Sequence, residues 1–258
     1  MATLTNLRRI RDHAAPARDD VDDLPGAIAR LCEEHRPSRM PFFRNLAALP
    51  GATAADPDFL GRIHLVYQAA MHATRAAVYC LPYLDSPALR RRKLQILIDD
   101  DGLPGGDTHH YQLTRAFRHI GARCVLDDEE FADPEHLCRH LDAETARFVR
   151  LAHTLYARSL GPWCVVEALS VEWMQALAEA LAVHFPQILD EPYFAECFRD
   201  KVEERHAEEA VAVTQMVLQA RPELLDETIR DAKLMAEALD GVWINLARIV
   251  ERARRRFA

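Results

Sequence analysis

Apolar residues recur at helical spacing through most of this 258-residue chain. Long stretches place an apolar side chain at every third or fourth position, which is typical of helices that bury one face. No segment shows a convincing strand-type alternation, and no internal repeat is found. The pattern therefore predicts an all-α protein of about eight helices packed into one bundle.

Proline, glycine and N-cap residues divide the pattern into segments. Asp56 followed by Pro57 predicts the start of a long helix, and Asp107 or Thr108 predicts the cap of a later one closed by Gly121. The predicted helices cover residues 24–35, 55–81, 86–101, 108–120, a short piece from 134, 142–160, 163–184, 198–220 and 222–258. Residues 1–22 are polar and carry no period, so we expect a loose arm ahead of a single helical domain over residues 23–258.

Composition narrows the class of protein. Apolar residues make up 49% of the chain, glycine is scarce, and the formal net charge is −8, which argues against a general nucleic-acid surface. No run approaches the roughly 20 apolar residues that span a membrane, and no signal-type segment is found. The six cysteines are scattered without a C-x-x-C pair. These features predict a cytoplasmic protein with reduced thiols and no nucleic-acid or membrane partner.

The segment from Phe198 to Ala210 predicts one unbroken helix that carries candidate metal ligands. Glu203 and His206 lie three residues apart and share a face of that helix. Inside a bundle, a carboxylate and an imidazole at this spacing can hold a metal ion. Arg199 lies one turn earlier on the same predicted face.

Two further segments place possible ligands near apolar helical faces. Asp101 continues the face of Leu97 and Ile98, and Asp100 crowds the same helix end, where carboxylates oppose the helix dipole. A solvated acidic turn explains the same residues equally well. His110 shares a face with apolar residues, with His109 one step round, and is either a metal ligand or a core histidine bonded to a carbonyl.

Glu167 and His72 lie in apolar helices. Glu167 interrupts a nearly continuous apolar stretch, and a buried carboxylate needs a metal, a proton or a cation such as a structural ion-pair partner. His72 lies among alanines in the first long helix and is either an added ligand or a packed side chain.

Together these segments resemble the heme-oxygenase-like di-iron oxidase/oxygenase superfamily, whose fold is shared with TenA-type proteins and pyrroloquinoline-quinone synthase. The resemblance spans about residues 41–220. The matching positions are Pro41-Phe42-Phe43-Arg44-Asn45-Leu46, Asp100 or Asp101, His110 with Leu113, Phe117 and Gly121, Glu167 with Glu172-Trp173, and Arg199-x-x-x-Glu203-x-x-His206. The chain departs from the family pattern at two matching positions. The family has a histidine where this chain has Arg199, and a glutamate where this chain has Asp100 or Asp101. Many members also place a glutamate in the first long helix, where His72 is the nearest candidate here.

The resemblance implies a heme-oxygenase-like helical bundle with Fe(II) held by Asp100 or Asp101, His110, Glu167, Glu203 and His206, with His72 as an added candidate. Two iron ions per chain are implied, or one, because an arginine cannot ligate iron. Arg199 could instead bind a substrate carboxylate.

The implied activity is an O2-dependent oxidation of a small amino-acid-like or fatty-acid-like molecule, in specialised metabolism. The alternatives are a metal-free member of the fold, either a cofactorless oxidase or a TenA-like hydrolase with a reactive cysteine, and a non-catalytic dimerisation module. The long last helix could pack inside the bundle or form a homodimer face.

Overall fold

The computed structural model describes residues 23–101, 108–124, 126, 134–199 and 201–256, without the side chains of 101, 134, 135 and 196–199. Regular secondary structure in these residues is helical throughout, as the sequence predicted. The α-helices are α1 (Leu24–Glu34), α2 (Pro41–Ala47), α3 (Gly51–Ala54), α4 (Pro57–Thr74), α5 (Pro87–Asp101), α6 (His109–His119), α7 (Pro134–His140), α8 (Ala143–Tyr156), α9 (Gly161–Ala182), α10 (Pro192–Arg199), α11 (Val202–Ala220) and α12 (Leu225–Arg256). The predicted N-terminal arm and the connectors over 102–107 and 127–133 lie outside the described residues.

Local capping explains where several helices begin. The side chain of Asp56 accepts a hydrogen bond from the Phe59 amide, and that of Thr108 accepts one from the Tyr111 amide. Asp142 caps α8 in the same way, by accepting from two amides of the first turn. Each side chain satisfies backbone donors that have no partner within their own helix, so these starts match the sequence prediction.

The first long helix is shorter than predicted. Its α-helical part ends at Thr74, and residues Arg75–Tyr83 continue as a 3-10 helix that contains Pro82. The Thr74 hydroxyl donates to the Met71 carbonyl at 2.5 Å. Such back-bonding competes with the regular backbone pattern, and it marks the point where the α-helix gives way to the tighter one.

The predicted unbroken helix around Glu203 is wrong. Helix α10 ends at Arg199 and α11 begins at Val202, with Lys201 between them in the left-handed region at φ 50°. A left-handed residue ends helical register because its backbone cannot continue a right-handed helix. Arg199 therefore does not lie one turn before Glu203 on a shared face.

The core is built around α9, the most apolar of the long helices. Helix α9 packs chiefly on α11 and α12, and buried residues from nearly every helix join one contiguous hydrophobic cluster. Trp243 of α12 lies at its aromatic centre, within 5.9 Å of Trp173 and 5.4 Å of Phe43 between ring centroids. Among the described helices, none is both long and apolar enough to cross a bilayer.

Candidate metal centre

Helices α5 and α11 bring three metal-type ligands together. Asp100 comes from the last turn of α5, and Glu203 and His206 come from the first turns of α11. Each offers one ligand atom, and the three atoms lie within 4.8 Å of one another. Ligands bound at about 2.1 Å lie at most about 4.2 Å apart around an ion, so the cluster is close to the separation that a metal requires.

Burial makes this cluster different from an ordinary acidic surface. Glu203 and His206 are only 5% and 3% exposed, while Asp100 is half-buried. The Nδ1 atom of His206 lies 3.9 Å from Asp100 Oδ1 and makes no hydrogen bond with any described residue. A buried ring nitrogen that faces a carboxylate and makes no hydrogen bond is placed to ligate a metal ion.

The other nitrogen of His206 is held by a residue that the sequence analysis did not select. Nε2 lies 3.2 Å from Asp99 Oδ2, and Asp99 also accepts a hydrogen bond from Gln95 at 2.8 Å. A carboxylate on the second nitrogen fixes the ring orientation of a ligating histidine. Asp99 was visible in the sequence only as a neighbour of Asp100 at the helix end.

Ser170 of α9 supports Glu203 from the opposite side. Its hydroxyl lies 3.0 Å from Glu203 Oε2 and 2.7 Å from the carbonyl of Glu167. Sequence reasoning missed Ser170, although its position three residues after Glu167 on the same helix face could have indicated it.

Glu167 is buried as predicted, but the chain supplies its partners. Trp163 Nε1 donates to Glu167 Oε1 at 2.8 Å, and Lys93 Nζ lies 3.9 Å from the same oxygen. Burial raises the pKa of the Glu167 carboxyl, and the Lys93 ammonium opposes that rise. The structural ion pair considered in the sequence analysis is therefore formed. Lys93 itself was missed, although it shares a helix face with Asp100 at a spacing of two turns.

His110 and His72 lie together at another part of the site. Their rings stack with centroids 4.2 Å apart, and both side chains are buried. Burial lowers the pKa of His72 to about 4 and that of His110 well below its usual value, and the Arg75 guanidinium lowers both further. Both rings are therefore neutral at physiological pH.

Of the two adjacent histidines on α6, His109 is the one beside the cluster. His109 Nδ1 lies 3.7 Å from Asp100 Oδ1, although neither histidine belongs to the cluster of three ligand atoms. Which of the two would reach a metal ion stays a prediction.

Two of the predicted site residues have no described side chain. Asp101 is the last residue of α5 and Arg199 the last of α10, and their side chains lie outside the described residues. Of the two aspartates that the sequence offered, Asp100 has its carboxylate in the cluster.

A cavity of about 290 Å3 adjoins the cluster. Its polar lining consists of Thr74, Arg75, Lys93, Asp100, His109, His110, Glu167, Ser170 and Glu203. Its apolar and aromatic lining includes Met71, Val78, Leu97, Leu113, Val166, Trp173, Met174 and Tyr193. A cavity that combines an apolar wall with convergent polar groups is typical of a small-molecule site.

The described buried thiols do not fit a nucleophile. Burial raises the pKa of Cys164 to about 12 and that of Cys80 to about 11, so both remain protonated. Cys164 Sγ also lies 3.0 Å from Thr214 Oγ1. A reactive-cysteine hydrolase would need a thiolate, which neither residue offers.

Comparison with models of known protein families and with curated protein sequences gives no match to this chain.

Proposed function

We propose that this chain is an O2-dependent non-heme iron oxidase or oxygenase, built on the helical bundle of the heme-oxygenase-like di-iron superfamily. The observation that carries the proposal is the convergence of Asp100, Glu203 and His206 beside a cavity of about 290 Å3. The sequence motifs that resemble the superfamily contain these three residues and also support the proposal.

The donor set fits iron. Two carboxylates and an imidazole form a mixed oxygen and nitrogen site, which suits Fe(II) and Mn(II) better than the soft metals that prefer thiolates. The hydrogen bonds from Ser170 to Glu203 and between His206 and Asp99 would orient the ligands. Iron, when bound, would supply the one-electron chemistry that lets O2 react with an organic molecule.

The lining of the cavity favours a substrate that carries both a carboxylate and an apolar portion. Arg75 lines the cavity, and its charge acts on the stacked His72 and His110 rings. A guanidinium can bind a carboxylate through two hydrogen bonds, as proposed above for Arg199. The apolar wall would bind the remainder of an amino-acid-like or fatty-acid-like molecule and exclude water around the reacting atoms.

Metal content tests the proposal directly. Purified protein is loaded with Fe(II) under anaerobic conditions, desalted and analysed by mass spectrometry. We expect iron to be retained by the wild type and by His140→Ala, which changes an exposed histidine far from the cluster in sequence. We expect His206→Ala to lose it. Protein that retains no iron in any of the three forms would contradict the proposal.

Oxygen consumption then tests the reaction class. The iron-loaded protein is mixed with panels of amino acids and fatty acids, and O2 uptake is followed with an electrode. We expect substrate-dependent uptake by the wild type and none by His206→Ala. Uptake that is equal in both proteins would come from free iron and would count against the assignment.

A further inference from the structure

Lys93 is a fully buried cation in the wall of the cavity. Its side chain is 1% exposed, and it lies on α5 two turns before Asp100. Lysine is almost never buried to this degree unless a partner compensates its charge. A lysine in this position therefore has a specific electrostatic role.

Its surroundings identify the partner. Nζ lies 3.9 Å from Glu167 Oε1 and 4.4 Å from the centroid of the Trp163 ring. The Trp163 indole donates to the same Glu167 oxygen at 2.8 Å. An ammonium over an aromatic face and beside a carboxylate is stabilised by both, so the three side chains form one buried unit.

This buried unit reduces the negative charge that the cavity offers to metal ions. Of the carboxylates that line the cavity, Glu167 is neutralised by Lys93, and the ligand cluster retains Asp100 and Glu203. A second divalent ion bound at about 2.1 Å from Glu167 Oε1 would lie within about 6 Å of the Lys93 ammonium. Like charges this close repel strongly in a buried site.

We propose that the Lys93 ammonium takes the place of a second metal ion, an inference that rests on the proposed function. The site then binds a single divalent ion at Asp100, Glu203 and His206, and Glu167 serves as the counter-ion of Lys93 rather than as a metal ligand. Lys93 is thus a positioning residue that sets the number of metal ions.

The test is the binding stoichiometry of Mn(II), followed by equilibrium dialysis and by electron paramagnetic resonance. The wild type is expected to bind about one ion per chain with the six-line spectrum of an isolated ion. Lys93→Met releases Glu167 and is expected to bind about two ions, with exchange broadening of the spectrum. Lys233→Met, which removes an exposed lysine of α12, is the matched control and is expected to behave as the wild type.

The double variant Lys93→Met/Glu167→Gln restores charge balance without the lysine. It is expected to return to about one ion, because the carboxylate of Glu167 is gone. The double variant is also expected to keep the affinity for the first ion within about threefold of wild type, because it removes one positive and one negative charge together; removing a metal ligand or its support would cost far more. Since it leaves no unpaired buried charge, this variant keeps the inference testable if Lys93→Met does not fold.

The outcomes separate this inference from the proposed function. A wild type that binds two ions, or a tenfold or larger loss of affinity in the double variant, would overturn the role of Lys93 and leave the metal enzyme standing. A folded Lys93→Met protein that still binds one ion would overturn it as well. A wild type that binds neither Mn(II) nor Fe(II) would remove the proposed function and this inference together.

Discussion

The Ser170 hydroxyl donates to Glu203 Oε2 at 3.0 Å and so joins α9 to the first turn of α11. Both side chains are buried, at 5% exposure each. The contact connects two helices that the sequence treats as separate, and it holds one carboxylate oxygen in a defined orientation.

Removing this hydroxyl is expected to weaken metal binding. In Ser170→Ala the Glu203 carboxylate loses its orienting donor, and we expect the affinity for Fe(II) or Mn(II) to fall by about 10- to 100-fold. Isothermal titration under anaerobic conditions measures the change.

Ser159→Ala is a matched control for that experiment. Ser159 is also buried and also bonds a carboxylate, that of Asp231 at 3.2 Å, but it lies outside the cavity lining. We expect it to lower the free energy of unfolding by about 1–3 kcal/mol without altering metal affinity. Equal losses of metal affinity in both variants would show a general effect of destabilisation.

Arg75 is expected to determine the affinity for carboxylate-bearing ligands. Arg75→Gln removes the guanidinium from the cavity wall, and we expect binding of fatty-acid or amino-acid ligands to weaken about tenfold or more while metal content stays unchanged. Arg123→Gln, which removes an exposed arginine paired with Asp58, is the control. Equilibrium dialysis of the metal-loaded proteins gives the comparison, and unchanged affinity in Arg75→Gln would place the carboxylate site elsewhere.

His64 is expected to make stability depend on pH in the acid range. Burial, with a smaller contribution from Arg118, lowers the pKa of His64 to about 3, compared with 6.5 for an exposed histidine. Between these two pH values the His64 ring is protonated in the unfolded chain and neutral in the folded chain. The stabilising effect of the neutral ring is therefore complete above pH 6.5 and is lost as pH falls towards 3.

Urea unfolding at several pH values measures this effect. One such histidine contributes a slope of at most about 1.4 kcal/mol per pH unit over that window. We expect His64→Gln to reduce the slope and His140→Gln, at an exposed position, to leave it as in the wild type. An unchanged slope in His64→Gln would mean that the ring is protonated in the folded protein.

Gly161 tests the contact between α9 and α12. A Cβ placed there would lie 1.8 Å from the Thr228 carbonyl oxygen, so the two backbones approach too closely for any side chain. We expect Gly161→Ala to lower the free energy of unfolding by about 3 kcal/mol or more, because backbone atoms must move apart.

Gly241 of α12 gives the opposite expectation. A Cβ there would meet nothing within 4 Å, so Gly241→Ala should stabilise the helix by about 0.5–1 kcal/mol. Thermal and urea unfolding of the two variants provide the measurement. Similar changes in both would argue against the close approach of α9 and α12.

Prediction succeeded where the physics is local. Asp56, Thr108 and Asp142 cap their helices because an N-cap side chain needs only the amides of its own first turn. The shared direction of Glu203 and His206 is equally local, since three residues separate them within α11. Helical periodicity, in the same way, was enough to predict an all-α protein.

The sequence-based predictions failed where the backbone conformation depends on groups distant in the sequence. The break at Lys201 was not visible in a sequence of good helix formers, because a left-handed residue there depends on how α10 and α11 pack. The α-helix that stops at Thr74 is a similar case, in which a continuous apolar pattern hid a change to a 3-10 helix.

The sequence by itself determined the helical class, several helix starts and the set of candidate ligands, because these depend on periodicity and on neighbours within one or two turns. Only the tertiary structure decided that Asp100 meets Glu203 and His206, and that Lys93 lies beside Glu167. Those pairings join α5, α9 and α11. Their geometry is set by how the helices pack, which no local pattern encodes.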